Sequence, residues 1–86
     1  MYWVYFLYSE NVGSVYVGCT GNLQKRLKEH NDGLVKSTKN RRPFILIHSE
    51  KYSNFSIARR REEYLKSLYG SRERKRILKN YLENDK

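Results

Sequence analysis

Tyr5, Tyr16, Arg26, His30 and Glu62 are residue types from which a phosphodiester-cleaving site can be assembled. Glu62 is the most informative of them. The segment from Phe55 to Tyr69 reads as a helix, with Ala58, Leu65, Leu68 and Tyr69 along one apolar stripe. At about 100° per residue, Glu62 points along the middle of that stripe and Glu63 to the opposite, solvated side. A carboxylate aimed at a core is costly unless a metal, a cation or hydrogen bonds meet it. Arg26 and His30 are four residues apart and share one side of a second helix. Singly, each has a plain explanation: Arg26 as a surface arginine, His30 as a helix-end residue favoured by the dipole. Eight tyrosines make any one tyrosine pair weak as a signal.

The chain around these residues has room for one small domain with a single modest core, at 86 residues. Its 18 Lys and Arg against 9 Asp and Glu leave a formal charge of +9, which favours a polyanionic partner, above all nucleic acid. A ribosomal or acidic-lipid surface is the plainer reading of the same charge. The single Cys19 excludes an internal disulfide, and no Cys/His spacing suits zinc; the residue reads as a small packing group. The apolar run at 2–7 is too short to span a membrane and lacks the flanks of a signal peptide, so a reduced, cytoplasmic setting is expected and no membrane partner.

Tyr2-Trp3-Val4-Tyr5-Phe6-Leu7-Tyr8 is continuous and aromatic, as in a strand covered on both faces. Turn chemistry at 9–13 leads to a second strand at 14–18, making a hairpin. Asn22 is placed to cap a helix running to about Asp32 with Leu23 and Leu27 inward, and Gly33 to end it. A basic loop follows from Leu34 to Pro43. Phe44-Ile45-Leu46-Ile47 is a third strand, and Ser53 or Asn54 caps the helix of Glu62. A last helix at about 72–82 turns Ile77, Leu78, Tyr81 and Leu82 inward and crowds Arg72, Arg74, Lys75, Arg76 and Lys79 on its other side. The order β-β-α-β-α-α predicts a small α/β sandwich with a three-stranded antiparallel sheet. The domain is expected over 1–83, with 84–86 frayed.

Trp3-Val4-Tyr5, Tyr16-Val17-Gly18, Arg26-Leu27-Lys28-Glu29-His30 and Arg61-Glu62-Glu63-Tyr64-Leu65-Lys66 occur in an order that resembles the GIY-YIG nuclease family. The likeness is greatest to short, single-domain members related to the nuclease half of the bacterial excinuclease C subunit. It implies that Tyr5 and Tyr16 match the two motif tyrosines and Arg26 the helix arginine. Glu62 matches the single metal-binding glutamate, and His30 a position held by histidine or tyrosine. Gly18 matches a glycine whose side chain would crowd the cleft. Trp3 and Val4 replace the first motif's glycine and isoleucine. Asn80 is the asparagine available on the last helix, where many members carry one.

The resemblance implies a metal-dependent endonuclease acting on DNA, with RNA as the alternative substrate and repair or processing as the setting. One inward carboxylate suits one Mg²⁺ or Mn²⁺ ion, which binds through few carboxylates plus phosphate and water. Arg26 would donate its planar fork to the scissile phosphate. Tyr16 is favoured as general base, with Tyr5 positioning the water or phosphate and His30 as the alternative proton acceptor. Lys36, Lys39, Arg41 and Arg42 in the loop, and Arg72, Lys75, Arg76 and Lys79 on the last helix, would hold the backbone without reading sequence. Specificity would then come from a partner protein. A non-catalytic DNA- or RNA-binding module on the same fold explains the charge equally well, but not the conjunction of Tyr5, Tyr16, Arg26 and Glu62.

Overall fold

The computed structural model describes residues 1–84 and shows a three-stranded antiparallel sheet carrying helices on both faces. In chain order the elements are β1 (Tyr2–Ser9), β2 (Ser14–Thr20), α1 (Leu23–Asn31), β3 (Ile45–Tyr52), α2 (Phe55–Lys66) and α3 (Ser71–Asn84). Short 3₁₀ helices lie at Lys39–Arg41 and Leu68–Gly70. Asn84 is the last residue of α3; of the segment expected to fray, residues 85 and 86 lie outside the described part.

The strand order is β2-β1-β3, so β1 is central and covered on both sides. That is why it reads as an unbroken apolar run. Val4 and Phe6 join Val17, Ala58, Leu65 and Ile77 under α2 and α3. Tyr5 and Leu7 point the other way, joining Phe44 and the partly buried Tyr16, Leu23, Leu27 and Leu46 beneath α1. Asn22 caps α1 by accepting from the Lys25 amide, and Gly33 takes the left-handed conformation (φ 79°) just past its end. Asn54, rather than Ser53, caps α2.

Four expectations are corrected. β3 begins at Ile45 and runs on to Tyr52, well past Ile47. Its polar half, His48-Ser49-Glu50-Lys51-Tyr52, still alternates: His48, Glu50 and Tyr52 pair with Phe6, Val4 and Tyr2 on the α2 face. That face is filled by an ion network instead of apolar side chains. The helix of Glu62 ends at Lys66. Ser67 is extended (ψ 170°), and Leu68 and Tyr69 leave the stripe to stand 89% and 87% exposed. On α3, Ile77 is buried, Leu78 and Tyr81 are half-buried, and Leu82 is exposed. Arg74 is not part of the outer basic face: its guanidinium donates to the Leu65 and Ser67 carbonyls at the open end of α2.

Candidate active site

The hairpin places Gly18 opposite Tyr5 in the sheet. The Tyr5 ring lies across that glycine, and a Cβ at position 18 would overlap its hydroxyl and crowd the Tyr16 ring. The absence of a side chain at Gly18 thus lets the two phenols share one surface, with ring centroids 6.3 Å apart. His30, brought over by the last turn of α1, completes the group: its ring centroid is 4.9 Å from Tyr16 and 5.8 Å from Tyr5.

His30 is fully buried, and both ring nitrogens have partners. Nε2 lies 3.0 Å from the Tyr5 hydroxyl and Nδ1 lies 2.9 Å from the Thr38 hydroxyl. With the Thr38 proton assigned to the Val35 carbonyl, 3.3 Å away, the hydroxyl accepts from His30. Nδ1 therefore carries the imidazole proton, Nε2 is the acceptor, and Tyr5 donates to it. Burial, with the Arg26 charge beside it, pushes the His30 pKa down to about 4, although Glu29 opposes this. Its burial at the end of α1 removes the reading of a charged, dipole-favoured histidine. Burial likewise pushes the Tyr5 phenol up to about 12, against the pull of Arg26. With the phenol near 12 and the imidazolium near 4, passing a proton from Tyr5 to His30 runs steeply uphill.

Thr38 was missed by sequence reasoning. It sits in a loop without hydrophobic period, and only its burial against His30 marks it. The only signal was a small hydroxyl residue inside an otherwise long, basic stretch.

Arg26 lies beside the Tyr5 hydroxyl and donates to the Glu29 carboxylate at 3.1 Å; its side chain is 38% exposed. It borders an open cleft of about 440 Å³ between the end of β2 and α1, lined also by Cys19, Thr20 and Lys25. Cys19 packs half-buried against the core, as its plain reading had it, and burial raises its thiol pKa.

Glu62 comes from the opposite face. It is buried to 6% exposure on α2, between Ala58 and Leu65, whereas the Glu63 side chain is 62% exposed. One oxygen accepts from Arg59 at 2.7 Å and the other from Lys66 at 2.9 Å. The Lys66 ammonium also lies 5.8 Å from the Tyr16 ring centre, joining Glu62 to the phenols, and the Glu62 charge is felt at Tyr5 and Cys19. Arg41 closes the other side of Tyr16, 6.0 Å from its ring centre, and donates to Ser14 at 3.2 Å.

The basic positions divide. Lys36, Lys39 and Arg42 are exposed on the loop, as are Arg72, Lys75, Arg76 and Lys79 on α3. Arg41 is half-buried and pinned across the mouth of the site, which makes it a wall of the cleft more than a free phosphate contact. Asn80 lines a groove with His48, Glu50 and Glu73, away from the Glu62 cluster.

Among the described residues no group of three His, Cys, Asp or Glu is close enough to hold a metal. The donor set is therefore one buried carboxylate, which fits an ion taking most of its ligands from phosphate and water. Such an ion has to displace Arg59 or Lys66 from Glu62. Both are surface side chains nearly half exposed, free to swing into solvent. No helix among the described residues is long and apolar enough to cross a membrane.

Comparison with known proteins bears on the family and the fold. Residues 1–77 match the family described as the GIY-YIG catalytic domain. UPF0213 protein CPE1444 of Clostridium perfringens is 42% identical over 69 residues, which cover 79% of this chain and 73% of that protein. UPF0213 protein YazA of Bacillus subtilis is 48% identical over 56 residues, 64% of this chain and 57% of its own length. The solution NMR structure of UPF0213 protein BH0048 from Bacillus halodurans superposes with a TM-score of 0.55 at 30% identity, covering 90% of this chain and 83% of that one. The chain belongs to the GIY-YIG catalytic-domain family.

Proposed function

We propose that this chain is a metal-dependent endonuclease that hydrolyses phosphodiester bonds in DNA. The observation that carries the reading is Glu62. It is a buried carboxylate joined to Tyr16 through Lys66, its charge felt at Tyr5, and its partners are half-exposed cations that an incoming metal ion can replace. Glu62 would hold one Mg²⁺ or Mn²⁺ ion, which when bound neutralises charge gathering on the leaving oxygen. Arg26 directs its forked donors at the phosphate. Tyr16, the more open phenol, takes the proton of the attacking water, a task that needs its phenolate. Tyr5, its proton committed to His30, presents lone pairs that orient the water or phosphate. Lys36, Lys39, Arg42 and the outer face of α3 hold the backbone, and a protein partner supplies sequence or structure preference.

One observation favours a non-catalytic nucleic-acid-binding module instead: both Glu62 oxygens are satisfied by Arg59 and Lys66 without any metal. Cleavage assays separate the two. Single-stranded, duplex, flap and branched DNA, and RNA, are incubated with Mg²⁺, Mn²⁺ or chelator and with wild type or Glu62→Ala. Metal-dependent cutting of DNA lost in Glu62→Ala supports the nuclease. Binding without cutting under every metal condition supports the module, and cutting confined to RNA replaces the substrate.

A further inference from the structure

The turn between α2 and α3 is built to hold large apolar side chains out in water. Leu68 and Tyr69 are 89% and 87% exposed, more than any other large hydrophobic residue among those described. Nothing about the turn is loose. The Gly70 amide donates to the Ser67 carbonyl at 3.2 Å, and the Ser67 hydroxyl donates to the Tyr64 carbonyl at 2.7 Å. Arg74 reaches in from α3 to the Leu65 and Ser67 carbonyls. Gly70 itself is buried, and a Cβ there would overlap the Tyr64 carbonyl oxygen. A segment fixed this firmly, yet presenting a leucine and a tyrosine to solvent, marks a contact surface and not an accident of packing.

Its surroundings name the occupant. Tyr64, Leu68 and Tyr69 border an open cleft of about 530 Å³ shared with Arg72 and Arg76. The one carboxylate in that cleft, Glu73, is paired with Arg61 from behind and lies 3.9 Å from Arg76. Arg72 has no ion-pair partner among the described residues. An exposed aromatic ring flanked by two arginines, one of them without an ion-pair partner among the described residues, suits a nucleotide, with a base on the ring and its phosphates on the guanidiniums. A protein partner, whose interfaces also use tyrosine and arginine, is the other outcome of the test.

We infer that Tyr69, with Leu68 and Tyr64, forms a stacking platform for the unpaired bases of a DNA strand whose phosphates rest on Arg72 and Arg76. Duplex DNA keeps its bases stacked on each other and cannot use such a platform, so the substrate class is DNA with an unpaired segment. Lys66 touches Glu62, and Leu68 follows two residues later, at most about 7 Å along the backbone. Tyr64 lies about 200° around α2 from Glu62, so a strand with a phosphate at Glu62 has to pass around the C-terminal end of that helix to arrive at Tyr69. This deepens the nuclease reading and rests on it for the place of the scissile phosphate; the stacking itself does not depend on cleavage.

The test compares wild type, Tyr69→Ala and Tyr69→Phe in chelator, by fluorescence anisotropy on a short single-stranded oligonucleotide and on a blunt duplex of the same sequence. Tyr69 is almost wholly exposed, so neither variant threatens the fold. Tyr69→Ala is expected to weaken single-strand binding roughly 5- to 100-fold, the loss of one stacked base, with duplex affinity unchanged. Tyr69→Phe keeps the ring and is expected to bind like wild type. Equal single-strand affinity in wild type and Tyr69→Ala overturns the proposal and leaves the patch to a protein partner. Equal losses on strand and duplex overturn it as well. Cleavage of a flap with Mg²⁺, run in parallel, keeps the two readings apart. Ring-dependent binding with no cutting retains the platform and removes the nuclease; cutting that ignores Tyr69 does the reverse.

Discussion

Two inward-facing glutamates of this small domain have opposite designs. Glu50, on β3, accepts from Arg61 through both oxygens, at 2.8 and 3.0 Å, and also from His48 and Tyr52. Arg61 continues to Glu73, so β3, α2 and α3 are tied through one guanidinium. These partners hold the Glu50 carboxyl down at about 2 despite the cost of its burial. Glu62 is as inward-facing, but its partners are single bonds from Arg59 and Lys66 on its own helix. The first carboxylate is enclosed by partners it cannot release without breaking the fold. The second is held by exposed side chains that a cation arriving at the carboxylate can replace without disturbing the fold. Burial alone does not mark a functional carboxylate; the ease with which its partners leave does.

The contrast is broken most forcefully by stability. Glu50→Ala leaves the half-buried Arg61 with Glu73 alone, removes the shared acceptor of His48 and Tyr52, and is expected to cost about 3–5 kcal/mol in urea denaturation. Glu62→Ala only frees two exposed cations, so a loss below about 1 kcal/mol is expected. Comparable losses in the two variants would erase the distinction. Next in size is the arginine of the cleft. Arg26→Lys keeps the charge but loses the fork, and single-turnover cleavage is expected to fall about 10²- to 10³-fold, with binding in chelator nearly unchanged. Wild-type rates in the lysine variant would remove Arg26 from the site.

A smaller effect is expected at Thr38. Thr38→Val keeps the shape but leaves the buried His30 Nδ1 proton without an acceptor, at a cost of about 1–3 kcal/mol, and lets the Tyr5 hydroxyl lose its orientation. Thr38→Ser should restore both. If valine and serine behave alike by melting temperature and by imidazole ¹⁵N shift, the hydrogen-bond chain from Tyr5 to Val35 is not what holds the histidine.

The pH dependence of stability gives a separate test. His30 titrates near 4 in the folded chain and near 6.5 when free, so between those values the unfolded state binds more protons. Stability is therefore complete above about pH 6.5 and is lost as pH falls toward 4. The Glu50 contribution is lost lower, between 4.5 and about 2. Melting temperatures of wild type and His30→Gln across this range should differ in slope only in the upper window.

What the sequence made legible follows from where each cause is local. The phase of α2 alone separates Glu62 from Glu63, and the caps Asn22 and Asn54 are set by neighbouring residues. The polar half of β3 was illegible because its inner face is satisfied by Arg61, a partner far along the chain. Leu68 and Tyr69 were assigned to the apolar stripe because the local stop signal, Gly70, puts the end of α2 beyond them, whereas it falls at Lys66. That end is set by the packing of Gly70 against the Tyr64 carbonyl and by Arg74 reaching back from α3. Thr38 is the same case within the site, a loop residue whose role exists only through His30.

The difference between the two glutamates is tested most directly by adding substoichiometric Mn²⁺ to ¹⁵N-labelled protein and reading paramagnetic line broadening, which needs no activity. The expected result is broadening centred on Glu62 and the adjoining turns of α2, with Glu50, His48 and Glu73 untouched, and its disappearance in Glu62→Ala. Broadening centred on Glu50 and Glu73, or broadening around α2 that survives Glu62→Ala, would contradict it.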